Sequence, residues 1–170
     1  MDRTTIIPCG KPSASARVSI SWPPAPPVED SSVLVLSSCP YKYTLDPNAL
    51  PFLLYLDLRL SLPLSPSSQI TWGFAGIRHT LQVNPHPKFR WDHVIDSRNG
   101  KEGCDTVDEG DTIVSRDAIT GENVEVETGI GWNPDAGRVQ RYEEVWRLWY
   151  LDNSTYFLPS TEILENPTHL

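Results

Sequence analysis

The chain has 170 residues, 39% of them hydrophobic, with 16 prolines and 10 glycines spread along its length. That size fits one domain with one core, and the scattered breakers fit many short strands better than a helical bundle. A formal net charge of −8, from 14 basic and 22 acidic residues, argues against a DNA- or RNA-binding surface. No apolar run approaches the roughly 18 residues that span a bilayer, and the N-terminus carries Asp2 and Arg3 without an apolar leader core. Cys9, Cys39 and Cys104 form no close pairs. This fits neither a disulfide scaffold nor a zinc site and points to a reducing, cytoplasmic setting. The acid-rich stretch from Glu102 to Glu127 reads as a solvated loop and hairpin. Within it, Asp105, Asp108, Glu109 and Asp111 do not follow the calcium-loop pattern, so no metal is expected. Cys104 sits among these acids, which disfavour a reactive thiolate.

Residues 1–16, with Pro8, Gly10 and Pro12, read as a flexible arm. Arg17 to Trp22 alternates as a first strand, broken by the proline-rich run at 23–27; Val33 to Leu36 is a short second strand, and 41–51 an irregular connection. The clearest strand is 52–62. Leu54, Leu56, Leu58, Leu60 and Leu62 fall on one face, and Leu53, Tyr55, Asp57, Arg59 and Ser61 on the other. Gln69 to Val83 reads as one long strand or two, kinked at Gly73 and Gly76 where a sheet curls. Phe89 to Asp96 alternates again, with Phe89, Trp91 and His93 on one face, and Asn99-Gly100 marks a turn. Thr112 to Ser115 and Asn123 to Thr128 flank Thr120-Gly121 as a hairpin. Asn133-Pro134 with Gly137 turns the chain into a long strand from Arg141 to Tyr150, with a short one at 156–158 and a tail at 159–170. The expectation is an all-β domain over 17–158: a single antiparallel barrel of about eight to ten strands, because closure removes exposed edges and leaves room for side chains or one small ligand.

Three stretches, in order, carry a resemblance. They are Trp72-Gly73-Phe74-Ala75-Gly76; then Trp91-Asp92-His93-Val94-Ile95-Asp96-Ser97-Arg98; then Asp108-Glu109-Gly110-Asp111, followed by Asn133-Pro134 and Tyr142-Glu143-Glu144-Val145-Trp146-Arg147. Over roughly residues 17 to 147 the chain resembles the fungal Hri family, named for interaction with a casein kinase. The resemblance implies a lipocalin-like barrel. Longer members look like two consecutive barrels, whereas this chain ends soon after the first. Single-barrel relatives beside fungal polyketide gene clusters are similar to cyclases that close α-pyrone rings, and the chain looks most like that group.

Pyrone closure needs an enol oxygen to attack a thioester carbonyl while a cavity folds the chain, a proximity effect of roughly 7–11 kcal/mol at best, with donors for the oxyanion. It needs no nucleophilic Ser or Cys and no cofactor, which suits a chain without a nucleophile elbow. His93 is the candidate base; the competing reading is a buried histidine satisfied by a hydrogen bond. Arg59 can clamp an enolate with Asp57 orienting it, if their face is interior; otherwise they form an outer ion pair. Glu109 is a candidate acid or base at a barrel mouth. Asp96 falls opposite His93 unless a bulge intervenes. Tyr55, Phe89, Trp91, Trp132, Tyr142 and Trp146 are candidate substrate-wall residues, with core packing as the plain alternative.

The leading expectation is a cofactor-free polyketide cyclase acting on a substrate carried by a polyketide synthase. A non-catalytic barrel holding a protein partner or small ligand, and a carrier of a hydrophobic metabolite, are the alternatives. If Asp57 and Arg59 face inward, the leucine face points outward and a homodimer is expected to cover it.

Overall fold

The structure, a computed structural model, describes residues 6–43, 46, 48–98, 108–133 and 136–151. The described residues form ten strands and no helix: β1 (Ile6–Pro8), β2 (Ser13–Ser21), β3 (Ser31–Ser37), β4 (Tyr41–Tyr43), β5 (Phe52–Ser61), β6 (Ile70–Gln82), β7 (Lys88–Asp96), β8 (Glu109–Arg116), β9 (Asn123–Asn133) and β10 (Arg138–Tyr150). Every pairing is antiparallel, in the order β1-β4-β5-β3-β2-β10-β9-β8-β7-β6. β6 returns to pair with β5 from Phe52↔His79 to Leu60↔Ile70, so eight strands close into a barrel. The expected all-β barrel is therefore the observed fold. No helix of the described residues is long and apolar enough to cross a membrane.

Several boundaries differ from the sequence reading. The stretch read as an arm contains β1 and the first residues of β2, and the connection read as irregular contains β4. β1 and β4 pair with each other outside the closed ring and join it through Tyr41↔Phe52. Such short edge pieces, too brief to show alternation, leave no periodic signal. Gly121 (φ 70°) and Gly137 (φ 60°) occupy the two expected turns. The turn at Asn99-Gly100, Cys104, Pro134, the strand at 156–158 and the tail lie outside the described residues.

The faces of β5 settle which way the alternation points. Leu53, Tyr55 and Asp57 are 4%, 5% and 3% exposed, whereas Leu54 and Leu56 are 54% and 37% exposed. The polar face is inside and the leucine face outside. Leu56 pairs with Leu36 and Leu58 with Leu34 across β3, and Leu36 and Leu34 are themselves exposed, so the leucines form one continuous outer patch. Inside, Leu53, Tyr55 and Phe74 form the buried core, with Val35, Trp72 and Trp91 packed against it.

Of the two glycine kinks expected in β6, one is a true irregularity. The β6–β7 register shifts between Ala75 and Gly76, which pair with Ile95 and His93 and leave Val94 as the extra residue. A Cβ on Gly76 would collide with the backbone carbonyl of Asp92. At Gly73 a Cβ meets nothing closer than Leu58 Cδ2 at 3.4 Å. Gly76 thus permits the close strand approach that seats the bulge, and the bulge turns Asp96 back to the inner face. Gly76→Ala is expected to cost about 3 kcal/mol or more in urea denaturation. Gly73→Ala is expected to cost less than about 1 kcal/mol; equal effects at the two sites would reject this role for Gly76.

Candidate functional site

A belt of charge crosses the middle of the barrel. Arg59 on β5 holds Asp57 with two parallel bonds: Nε donates to Oδ1 at 3.2 Å and Nη2 to Oδ2 at 3.1 Å. Residues two apart on one strand share a face, and an inward face forces such a pair to satisfy itself. The guanidinium lies over Trp72 (4.6 Å) and Phe74 (5.3 Å), a cation–π setting that β6 supplies. Burial alone would lower the Arg59 pKa, but Asp57 and Glu144 outweigh it and raise it. Burial pushes Asp57 up, held back chiefly by Arg59. Arg17, on β2, donates Nη1 to Glu144 Oε1 at 2.7 Å. It also grips Glu29 (Nε 3.2 Å, Nη2 2.9 Å) and Asp30 (Nη2 2.9 Å), both just before β3.

His93 stands on β7, across β6 from Arg59, stacked on Phe74 with centroids 4.3 Å apart. Its Nδ1 lies 3.1 Å from Asp96 Oδ2. A carboxylate only accepts, so Nδ1 carries the proton and Nε2 is left facing the interior. Asp96 is in turn fixed by Trp72 Nε1 (2.9 Å) and the Arg98 backbone N–H (2.8 Å), both on Oδ1. Nε2 is 3.6 Å from Asp108 Oδ2, within ion-pair reach but without a hydrogen bond. The Tyr55 hydroxyl and Trp146 Nε1 are likewise buried without a hydrogen-bond partner among the described residues. The Tyr55 and His93 rings are 6.4 Å apart.

On β9 and β10, Tyr142 donates its hydroxyl to Glu127 Oε1 at 2.7 Å. Its ring lies against Gly129 and Gly131, where a side chain would intrude. Glu127 and Glu144 are directly paired across the strands on the inner face. Burial, then the neighbouring Glu144 and Asp108, push Glu127 well above the usual carboxyl range. Burial raises Glu144 too, restrained by Arg59 and Arg17. Burial also raises Tyr55 and Tyr142, so both phenols stay protonated. This layer sets Arg17, Arg59 and His93 against Asp57, Asp96, Asp108, Glu127 and Glu144. The excess of acid favours an imidazolium at His93 and a neutral carboxyl at Glu127.

The structure brings together His93, Arg59, Asp57, Tyr55, Trp91, Tyr142 and Trp146 on the inner face, with Phe89 nearer one mouth and edge-on to Trp91 at 6.0 Å. Two expected residues are elsewhere. Gly110 faces Tyr142 and Glu127, so Glu109 beside it points outward, where Lys88 Nζ pairs with it at 3.0 Å. Gly131 faces Tyr142, so Trp132 also points outward and is 55% exposed. Both line a depression of about 520 Å³ on the outer wall, away from the belt. Their strand parity, set by inward glycines, removes them from the interior site. Sequence reasoning missed Arg17, Glu127 and Glu144. Glu144 was within reach, because it lies between Tyr142 and Trp146 on their face of β10. Among the described residues, no three His, Cys, Asp or Glu side chains are grouped to hold a metal ion.

The His93 pKa carries a signed consequence. Burial depresses it, but Asp108 and Asp96 outweigh burial and raise it above 6.5. A group with a raised folded pKa contributes stability that is complete below its unfolded pKa and is lost as pH rises through the folded one. Wild type is therefore expected to exceed His93→Gln in stability most clearly between about pH 5.5 and 6.5, with the gap closing at higher pH. Urea melts of the two proteins across pH, with an NMR titration of the imidazole, check this. A gap that widens with pH would contradict the imidazolium assignment.

The Protein HRI1 family model matches residues 13–155, which includes all eight barrel strands and every residue of the belt. No curated protein matches the chain, and no solved structure does. A match over that much of the sequence places the chain in the Protein HRI1 family.

Proposed function

We propose that the barrel is a cofactor-free acid–base enzyme of fungal secondary metabolism that closes an α-pyrone on a polyketide thioester. The observation that carries the reading is the Asp96-oriented His93, whose Nε2 makes no hydrogen bond among the described residues, with the Tyr55 ring 6.4 Å away and its hydroxyl likewise without one. This is the base–orienter arrangement that acid–base sites use. In the proposed step, the share of His93 that is neutral above its raised pKa takes the enol proton at Nε2 as the enol oxygen bonds to the thioester carbonyl carbon. The Tyr55 hydroxyl donates to the oxyanion that results. Collapse breaks the C–S bond, and the imidazolium returns the proton to the departing thiolate. Arg59 spends Nε and Nη2 on Asp57, which leaves Nη1 to hold the substrate's enolate edge. The unpaired thiols of Cys9 and Cys39 suit the cytoplasmic setting in which a polyketide synthase works.

One observation favours a second reading, a non-catalytic barrel that binds a ligand or protein. Arg17 is held by Glu144, Glu29 and Asp30, and Asp57 by two bonds from Arg59, as in a structural network.

The two readings separate on a synthetic β,δ-diketo thioester of N-acetylcysteamine, followed by pyrone absorbance. The enzyme reading expects turnover above the buffer rate. His93→Ala is expected to lose about 100-fold and Arg59→Lys about tenfold, with both proteins folded. Turnover at the buffer rate by wild type would leave the binding barrel.

The reading extends to assembly. Leu34, Leu36, Leu54 and Leu56, between 37% and 54% exposed, belong to one outer face, an apolar patch of the kind that marks interaction surfaces. A second copy is the expected cover. Light scattering at micromolar concentration should give a mass near twice 19.1 kDa, and Leu56→Glu should give a folded monomer. A monomeric wild type would reject the homodimer.

A further inference from the structure

One mouth of the barrel holds a cavity of about 380 Å³, at the small end of the range for small-molecule sites. It is bounded by the start of β2, the β6–β7 connection and the end of β10. Leu53, Phe89 and Leu148 supply apolar wall; Lys11, Arg78 and Glu125 supply charge. Arg78 shares the inner face of β6 with Phe74 and Gly76 and lies opposite Trp91 on β7.

Arg78 differs from the other two inner arginines. Arg17 and Arg59 are each held by carboxylates at hydrogen-bond distance. Arg78 is half-buried over the Phe89 ring, 4.2 Å from its centroid, and makes no ion pair or hydrogen bond with any described residue. Glu125 lines the same cavity but is not within ion-pair distance of it. A partly desolvated guanidinium with no acceptor among the described residues is costly. The position supplies one strong anion-binding fork at the edge of an apolar chamber, with Lys11 adding charge at the rim.

We infer that this mouth binds an amphipathic carboxylate, with the carboxylate on the Arg78 fork and the apolar body against Phe89, Leu53 and Leu148. Burial, opposed by Arg78, raises the Glu125 pKa; in its neutral form Glu125 donates to a carboxylate and does not repel it. This inference rests on the cavity and on Arg78, and it stands apart from the acid–base reading of His93.

Calorimetric titration of the whole chain with decanoate and with decanol tests it. The two probes share a body and differ in charge. Decanoate is expected to bind at least about tenfold more tightly than decanol, the scale of one charge-assisted fork. Arg78→Gln should erase that difference, while His93→Ala should keep it. Ligand-free Arg78→Gln should melt no lower than wild type, because it removes an uncompensated cation. Leu148→Trp, which fills the chamber and leaves Arg78 in place, should bind neither probe and provides the test if Arg78→Gln does not fold. Equal binding of the two probes, binding of neither by wild type, or decanoate binding unchanged in Arg78→Gln or in Leu148→Trp would each overturn the site.

Discussion

Charge placed inside a closed barrel must be balanced inside it, and the rest of this structure follows from that constraint. Arg17 and Arg59 are the fixed cations of the interior, and each is tied to carboxylates from other positions in the chain. Arg17 links β2 to Glu144 on β10 and to the residues that lead into β3, so one side chain joins three consecutive wall strands. Its side chain is 1% exposed and that of Glu144 is 9% exposed, a depth at which losing one partner typically costs about 3–5 kcal/mol because the other charge is stranded. The same demand explains why β5 turns its polar face inward, why Trp72 and Phe74 lie under Arg59, and why an excess acid such as Glu127 is held in its neutral form.

The strands were legible in the sequence because period two survives wherever one face is buried, and 52–62 and 89–96 emerge as β5 and β7 with small boundary changes. What alternation does not carry is its sign. Five leucines opposite Asp57 and Arg59 would ordinarily put the leucines in the core; only partners far away in the sequence, above all Arg17 and Glu144, decide otherwise. Asp96 shows a second limit. Strict alternation sets it opposite His93, and one extra residue at Val94 brings it alongside. Glu109 and Trp132 show a third. Both sit next to motif residues that do face inward, and adjacency in a strand is the surest way to face the other way. Local pattern gave the elements, whereas the inside of the barrel was written in long-range pairings.

The belt divides into a clamped half and an open half. Around Arg17, Asp57 and Arg59 nearly every strong donor and acceptor is used, which fixes geometry and resists change. Around His93, Tyr55 and Trp146, Nε2, the phenol hydroxyl and the indole N–H have no hydrogen-bond partner among the described residues. Fixed charge beside uncommitted donors is what preorganised sites have in common, because the donors need no rearrangement when charge develops before them.

The outward leucines of β5 have a consequence for how the chain finds its register. A slip of one residue would exchange the two faces of that strand, hiding the leucines and expelling Asp57 and Arg59. Hydrophobic collapse, the force that usually disfavours such a slip, here rewards it. The correct alignment is held by what Asp57 and Arg59 meet from other strands: Trp72 and Phe74 under the guanidinium, and the buried charges of Arg17 and Glu144. Agents that act on these two forces should then act on this fold in opposite senses to the usual expectation. The inner charges are buried and salt screens them little, whereas a structure-making salt strengthens apolar association and so favours the misaligned strand over the native one.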